Sequence, residues 1–105
     1  MKITIAHKRL KAEVMHQIDR SFDELAKPNA GLPVQLQVKQ KNWQGSTLNF
    51  ELDAKMAMMS TPITGTIEVT DSDVIINADL GMLNRFVSDE TAAEIFGKRF
   101  KGLLN

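Results

Sequence analysis

The chain has 105 residues, 43% hydrophobic and 25% charged, which suits one domain with one packed core. Thirteen basic residues balance thirteen acidic ones, so the positive excess expected of a nucleic-acid or anionic-membrane binder is missing. The absence of cysteine excludes disulfides, thiolate zinc sites and cysteine nucleophiles, and suits a reducing compartment.

In chain order, Lys2 to Ala6 reads as a short strand with Ile3 and Ile5 in phase. From about Lys8 the period changes. Leu10, Val14, Ile18, Phe22 and Leu25 recur at helical spacing, with Lys11, Glu13, Gln17, Arg20 and Glu24 between them. Pro28, in Lys27-Pro28-Asn29-Ala30-Gly31, ends that helix, because it has no N–H to donate and drives Lys27 out of the helical region. Val34, Leu36 and Val38 alternate with Gln35, Gln37 and Lys39 as a second strand, and Asn42 to Ser46, with Gly45 inside it, reads as a turn. A long third strand follows, with Leu48, Phe50, Leu52, Ala54, Met56 and Met58 on one parity. Ser60-Thr61-Pro62 reads as the next connection.

Residues 63 to 80 carry the clearest pattern. Ile63, Gly65, Ile67 and Val69 alternate with Thr64, Thr66, Glu68 and Thr70; Asp71-Ser72-Asp73 interrupts; Val74, Ile76, Ala78 and Leu80 resume. Strand side chains alternate between faces, so this is a hairpin with one dry and one wet face. Gly81 breaks the last strand. Ser88 or Asp89 caps a final helix whose apolar face is Ala92, Phe96, Phe100 and Leu103.

The order is β-α-β-β-β-β-α. One-sided helices and a one-sided sheet satisfy each other by packing into two layers. The expectation is a single α+β domain over 1–105: a curved five-stranded antiparallel sheet with both helices on its apolar face. This order is similar to that of TATA-binding-protein-like, or helix-grip, folds, a likeness of architecture alone. Leu10, Val14, Ile18 and Phe22 are expected to pack on Phe50, Leu52, Ile67 and Ile76.

No catalytic apparatus is legible. His7 and His16 are nine residues apart, on opposite sides of any shared helix, and read as solvated or locally bonded. Asp19 and Asp23 share a helical face as solvated carboxylates, with Lys27 within reach of Asp23 at i,i+4. Asp71-Ser72-Asp73 lacks the glycine and distal glutamate of a calcium loop and reads as a turn. No G-x-G and no G-x-S-x-G occurs. The wet face sets Lys2, Lys39 and Lys55 against Glu51, Asp53, Glu68 and Asp79 without stacking aromatics, the wrong sign for phosphate. Neither metal nor cofactor is expected, and the chain is read as a non-enzyme. No apolar run approaches the roughly 20 residues of a membrane span. MKITIAHKRLK lacks the apolar core and cleavage site of a signal peptide, so a cytoplasmic location is expected.

One feature points outward. Met56, Met58 and Met59 crowd one hairpin end, and Met82, Leu83 and Phe86 follow the last strand. Met58 and Met59 are adjacent, so a continuing strand cannot turn both into one core layer. Core methionine is commoner than an exposed patch, so plugging of the sheet end beneath the helices is the first reading; because methionine surfaces adapt to varied apolar partners, these six residues are also the candidate interaction patch.

Several of these residues together resemble the polyhydroxyalkanoic acid system protein family of Gammaproteobacteria. They are Ile3, Ile5 and His7; Leu48-x-Phe50 after the Trp43/Gly45 turn; Gly65-x-Ile67-x-Val69; Val74-x-Ile76; and Leu80-Gly81-Met82-Leu83. The resemblance spans nearly the whole chain and implies a cellular context. Such proteins are encoded beside genes for making and using a storage polyester, and some proteins of that neighbourhood coat its granules. The resemblance transfers no catalytic residue. It implies a non-enzymatic accessory acting through apolar surface on polymer, on a granule coat protein or on a second copy as a homodimer. The alternative is a binder of an acyl or hydroxyacyl ligand between sheet and helices, with an enzyme of hydroxyacyl metabolism third.

Overall fold

The computed structural model describes residues 1–25, 35–56 and 58–104, without the side chains of Leu25, Met56 and Leu103. Its elements are β1 (Lys2–Ala6), α1 (Lys11–Leu25), β2 (Gln35–Gln44), β3 (Thr47–Met56), β4 (Met59–Val69), β5 (Asp73–Asp79) and α2 (Asp89–Leu104), with a 3₁₀ turn over Gly81–Arg85. The strands form one sheet in the order β1-β5-β4-β3-β2, every neighbouring pair antiparallel. The fold is therefore α+β in the expected element order. The segment Lys27–Gly31 and Val34, read above as helix end and strand start, lie outside the described residues.

Alternation decides the layers. On β3, Leu48, Phe50, Leu52 and Ala54 are buried; on β4, Ile63, Ile67 and Val69; on β5, Val74 and Ile76; on β1, Ile5. Register aligns them across the sheet: Leu48 faces Ile67, Leu52 faces Ile63, and Ile67 faces Ile76. Val14, Ile18 and Phe22 of α1 and Ala92, Phe100 and Leu104 of α2 join the same core, so both helices cover this one face. Phe22 and Phe50 meet with ring centroids 5.0 Å apart and planes tilted by 57°, a favourable aromatic geometry that fixes α1 over β3. Ser88 Oγ accepts the Thr91 backbone N–H at 3.1 Å and caps α2 as expected.

Three boundaries differ from expectation. Leu10 precedes the helix, which begins at Lys11, and is 72% exposed instead of packing on the sheet. The helical period ran one turn too far because the chain is still leaving β1: His7 N–H bonds the Ser72 carbonyl at 2.9 Å and holds this segment against the β4–β5 turn. Ser60-Thr61-Pro62 is strand rather than connection, the first part of β4. Pro62 is tolerated there because β5 reaches only to Asp79, opposite Thr64, so one side of β4 carries no ladder at that point. Asn42 to Gln44 likewise belong to β2, and the turn shrinks to Gly45-Ser46, with Gly45 at φ 62° as a tight hairpin requires.

The β2 extension passes through a bulge between Val38 and Gln40. Val38 pairs with Leu52, but Lys41 pairs with Phe50 and Trp43 with Leu48. The extra residue reverses the parity of β2, turning Lys41 and Trp43 toward the helix layer.

Candidate functional site

The two apolar segments of the candidate patch lie at one end of the sheet. Met56 pairs with Met59 across the β3–β4 hairpin, and Met58 sits at its tip with 101% relative exposure. The 3₁₀ turn is fastened beside the start of β4. Met82 N–H donates to Thr61 Oγ1 at 3.2 Å, and Gly81 N–H donates to Asp79 Oδ1 at 2.9 Å. Gly81 adopts φ 55°, and a methyl group there would stand 3.0 Å from the Pro62 carbonyl oxygen, so the turn can sit this close only with glycine. Met59, Met82 and Phe86 are exposed, Phe86 at 57%.

Leu83 corrects the expectation for this patch. It is 3% exposed and belongs to the core. Its N–H bonds the Leu80 carbonyl at 3.1 Å, and this tight turn directs Leu80 and Leu83 inward together, leaving Met82 and Phe86 outside. The Met56 side chain lies outside the described residues. The rim placed by the structure is thus Met58, Met59, Met82 and Phe86.

The interior between sheet and helices contains an apolar cavity of only about 30 Å³, bordered by Phe22, Phe50, Ile67, Phe96 and Phe100. That is far below the roughly 300 Å³ at which ordinary small-molecule pockets begin. An open depression of about 790 Å³ at the β1 edge includes Lys2, Asn77, Asp79, Asp89 and Glu90. Two of its carboxylates are already engaged: Asp79 holds Gly81, and Asp89 accepts the Asn84 amide at 2.8 Å, which lowers its pKa further from the ordinary value. Among the described residues no group of three His, Cys, Asp or Glu side chains is arranged to hold a metal.

His7 follows β1 instead of lying on α1, and it is buried. Its Nδ1 accepts the Arg9 backbone N–H at 3.2 Å, so Nε2 carries the proton and donates to the Thr70 carbonyl at 2.8 Å. Both nitrogens are occupied, Nε2 joining the end of β1 to the β4–β5 turn and Nδ1 holding the following segment. His16 is exposed. Thr70 Oγ1 accepts the Asp73 N–H at 2.9 Å, and Ser72 Oγ bonds Asp73, which organises the Asp71–Asp73 segment as a turn.

A polar cluster between α1 and β2 escaped the sequence reading. Asp19 accepts the Trp43 indole N–H at 2.9 Å, and Lys41 Nζ lies 3.2 Å from Asp19 and 2.9 Å from Asp23. The Trp43 hydrogen bond lowers the Asp19 pKa, burial opposes it, and Lys41 lowers it further. Burial alone would depress the Lys41 pKa, but its bonds to Asp23 and Asp19 outweigh that and raise it. The bulge brings Lys41 and Trp43 to these carboxylates. The parity break between Val38 and Trp43 was the available signal.

Asp19→Ala should cost about 1 kcal/mol, since charged hydrogen bonds are worth more but solvent reaches this carboxylate. A group whose pKa falls on folding contributes stability above its unfolded value and loses it as pH drops through the folded one. The gap in urea midpoint between wild type and Asp19→Asn should therefore be constant at neutral pH and shrink once pH falls below 3.8. A gap that widens with acid would contradict the assignment.

Among the described residues no helix is long and apolar enough to cross a membrane. Comparison of the chain with family models, with curated proteins and with solved structures finds no match.

Proposed function

We propose that this protein is a non-enzymatic accessory of a polyhydroxyalkanoate storage system, attached to the polyester granule through the rim of Met58, Met59, Met82 and Phe86. The observation that carries the reading is an exposed apolar end on an otherwise well-packed domain. Met58 projects fully into solvent at a hairpin tip, and Phe86 stands out from a turn fastened to the same strand. A projecting tip of flexible thioethers presses into a soft, featureless apolar surface, whereas a partner with a defined peptide ligand calls for a groove. The family resemblance of the sequence is the reason for reading that surface as polyester, and the location proposed with it is the cytoplasmic boundary of the granule. The acyl-ligand alternative draws no support from an interior of about 30 Å³.

Co-sedimentation with protein-free polyester granules tests the reading. Phe86→Lys should weaken binding about tenfold, the loss of one well-buried apolar contact. Its unfolding midpoint should stay within about 0.5 kcal/mol of wild type, as for other surface changes. Met59→Lys should behave alike. Leu10→Lys, an exposed apolar position at the opposite end of β1, should bind as wild type. Equal loss from Leu10→Lys, or unaltered binding by the rim variants, would remove the rim from the account.

A further inference from the structure

The chain carries six methionines and no cysteine, so thioethers are its only sulfur nucleophiles. Their placement is uneven. The buried core is built from Ile, Val, Leu, Phe and Ala, with the Met1 side chain packed against it and 4% exposed. Met1 has a buried side chain and Met15 is half-buried against the core, whereas Met58, Met59 and Met82 are exposed, all three at the rim. Susceptibility of a thioether to two-electron oxidants follows access to its sulfur. Oxidation converts a flexible apolar side chain into a polar one, which usually damages a protein by wetting its core. Here the arrangement is reversed: the accessible sulfurs lie where polarity alters the surface and leaves the core intact.

We infer that Met58, Met59 and Met82 form an oxidation-sensitive switch, in which peroxide converts the rim from apolar to polar while the fold remains intact. The thioether sulfur attacks one peroxide oxygen. The S–O bond forms as the O–O bond breaks, sulfur loses two electrons to become the sulfoxide, and the second oxygen leaves as water after proton transfer. Each sulfoxide presents a strong hydrogen-bond acceptor that must be desolvated before the rim can press against an apolar surface. Three of them in one small patch oppose apolar contact together. Phe86, which peroxide does not oxidise, keeps its ring at the patch edge. The consequence for the granule, release under oxidative stress, rests on the polyester reading above; the chemistry and the loss of surface apolarity do not.

The test treats the full chain with hydrogen peroxide and follows three readouts: peptide mass mapping, the thermal midpoint and retention on a phenyl matrix. Met58 should gain oxygen about tenfold faster than half-buried Met15, with Met59 and Met82 between them. Retention should fall in step with rim oxidation while the midpoint holds. The triple variant Met58→Leu/Met59→Leu/Met82→Leu keeps the apolar volume without sulfur and should retain full phenyl binding after the same treatment. Oxidation of Met15 at the rate of Met58, a midpoint that falls with the first oxygen added, or equal loss of retention by the triple variant would each overturn the inference. Granule co-sedimentation run in parallel separates the two ideas. If untreated protein ignores polyester but loses phenyl retention on oxidation, the granule reading fails and the switch stands.

Discussion

Phe50→Ala should destabilise the protein by about 3–5 kcal/mol, the range for removing a large buried aromatic. That is about a fifth or more of the roughly 5–15 kcal/mol by which a domain of this size is stable. Phe50 occupies the centre of β3, with Phe22 of α1 packed 5.0 Å from its ring centre. Its ring also borders the small internal cavity, which truncation would enlarge beneath α1 and α2. β3 itself is paired on both sides, with β2 and with β4, so its backbone cannot collapse into the space. Urea unfolding of Phe50→Ala and Phe50→Leu provides the measurement, with the leucine variant expected to lose about 1 kcal/mol as a smaller change in volume. A loss near 1 kcal/mol for alanine itself would mean that the ring is not the keystone between the layers.

Gly65→Ala should cost about 3 kcal/mol, the upper part of the range for overpacking a core. Gly65 lies on the apolar parity of β4, between Phe50 on β3 and Ala78 on β5. A methyl group there would stand 2.8 Å from Phe50 Cζ and 2.9 Å from the Ala78 Cα, and would collide with the Asn77 carbonyl. The Phe50 ring leans across the bare strand, so glycine is what permits this aromatic to lie flat in the core. Combining Gly65→Ala with Phe50→Leu should recover only part of the loss, because two of the three contacts are backbone atoms that do not swing aside. Full recovery would show that the ring alone created the demand for glycine.

Much of this fold was legible because its signals are local and repeat. The alternation runs unbroken within each strand, Leu48 to Ala54 in β3, Ile63 to Val69 in β4 and Val74 to Ile76 in β5, and side chains of a strand have no choice but to alternate. Val14, Ile18 and Phe22 mark the buried stripe of α1 equally plainly. Where periodicity ran into a junction it misled. Leu10 fits the helical spacing but precedes the first helical residue, and the period carries no information about where β1 releases the chain. Pro62 signals a loop by its chemistry, and became a strand residue only because β5 stops short of it.

The candidate patch shows the same division. That Met58 and Met59 cannot share a core layer follows from their adjacency alone. The fate of Leu83 does not: three residues after Leu80, it is turned inward by a 3₁₀ turn whose position depends on Thr61, Asp79 and the left-handed Gly81. The Asp19–Lys41–Trp43 cluster was harder still. Asp19 and Trp43 are 24 positions apart, and their meeting needs both the docking of α1 and the parity reversal at the bulge.

Element type, sheet parity, the absence of thiol chemistry and the crowding of Met56, Met58 and Met59 into one short segment were determined by the sequence by itself, since each depends on neighbouring residues or on composition. Tertiary structure alone decided the bulge, the polar cluster, the inward turn of Leu83 and the meeting of Met58 and Met59 with Met82 and Phe86 at one end of the sheet. These depend on which strand ends where and on what lies across it, and contacts between distant segments leave no period in the chain that forms them.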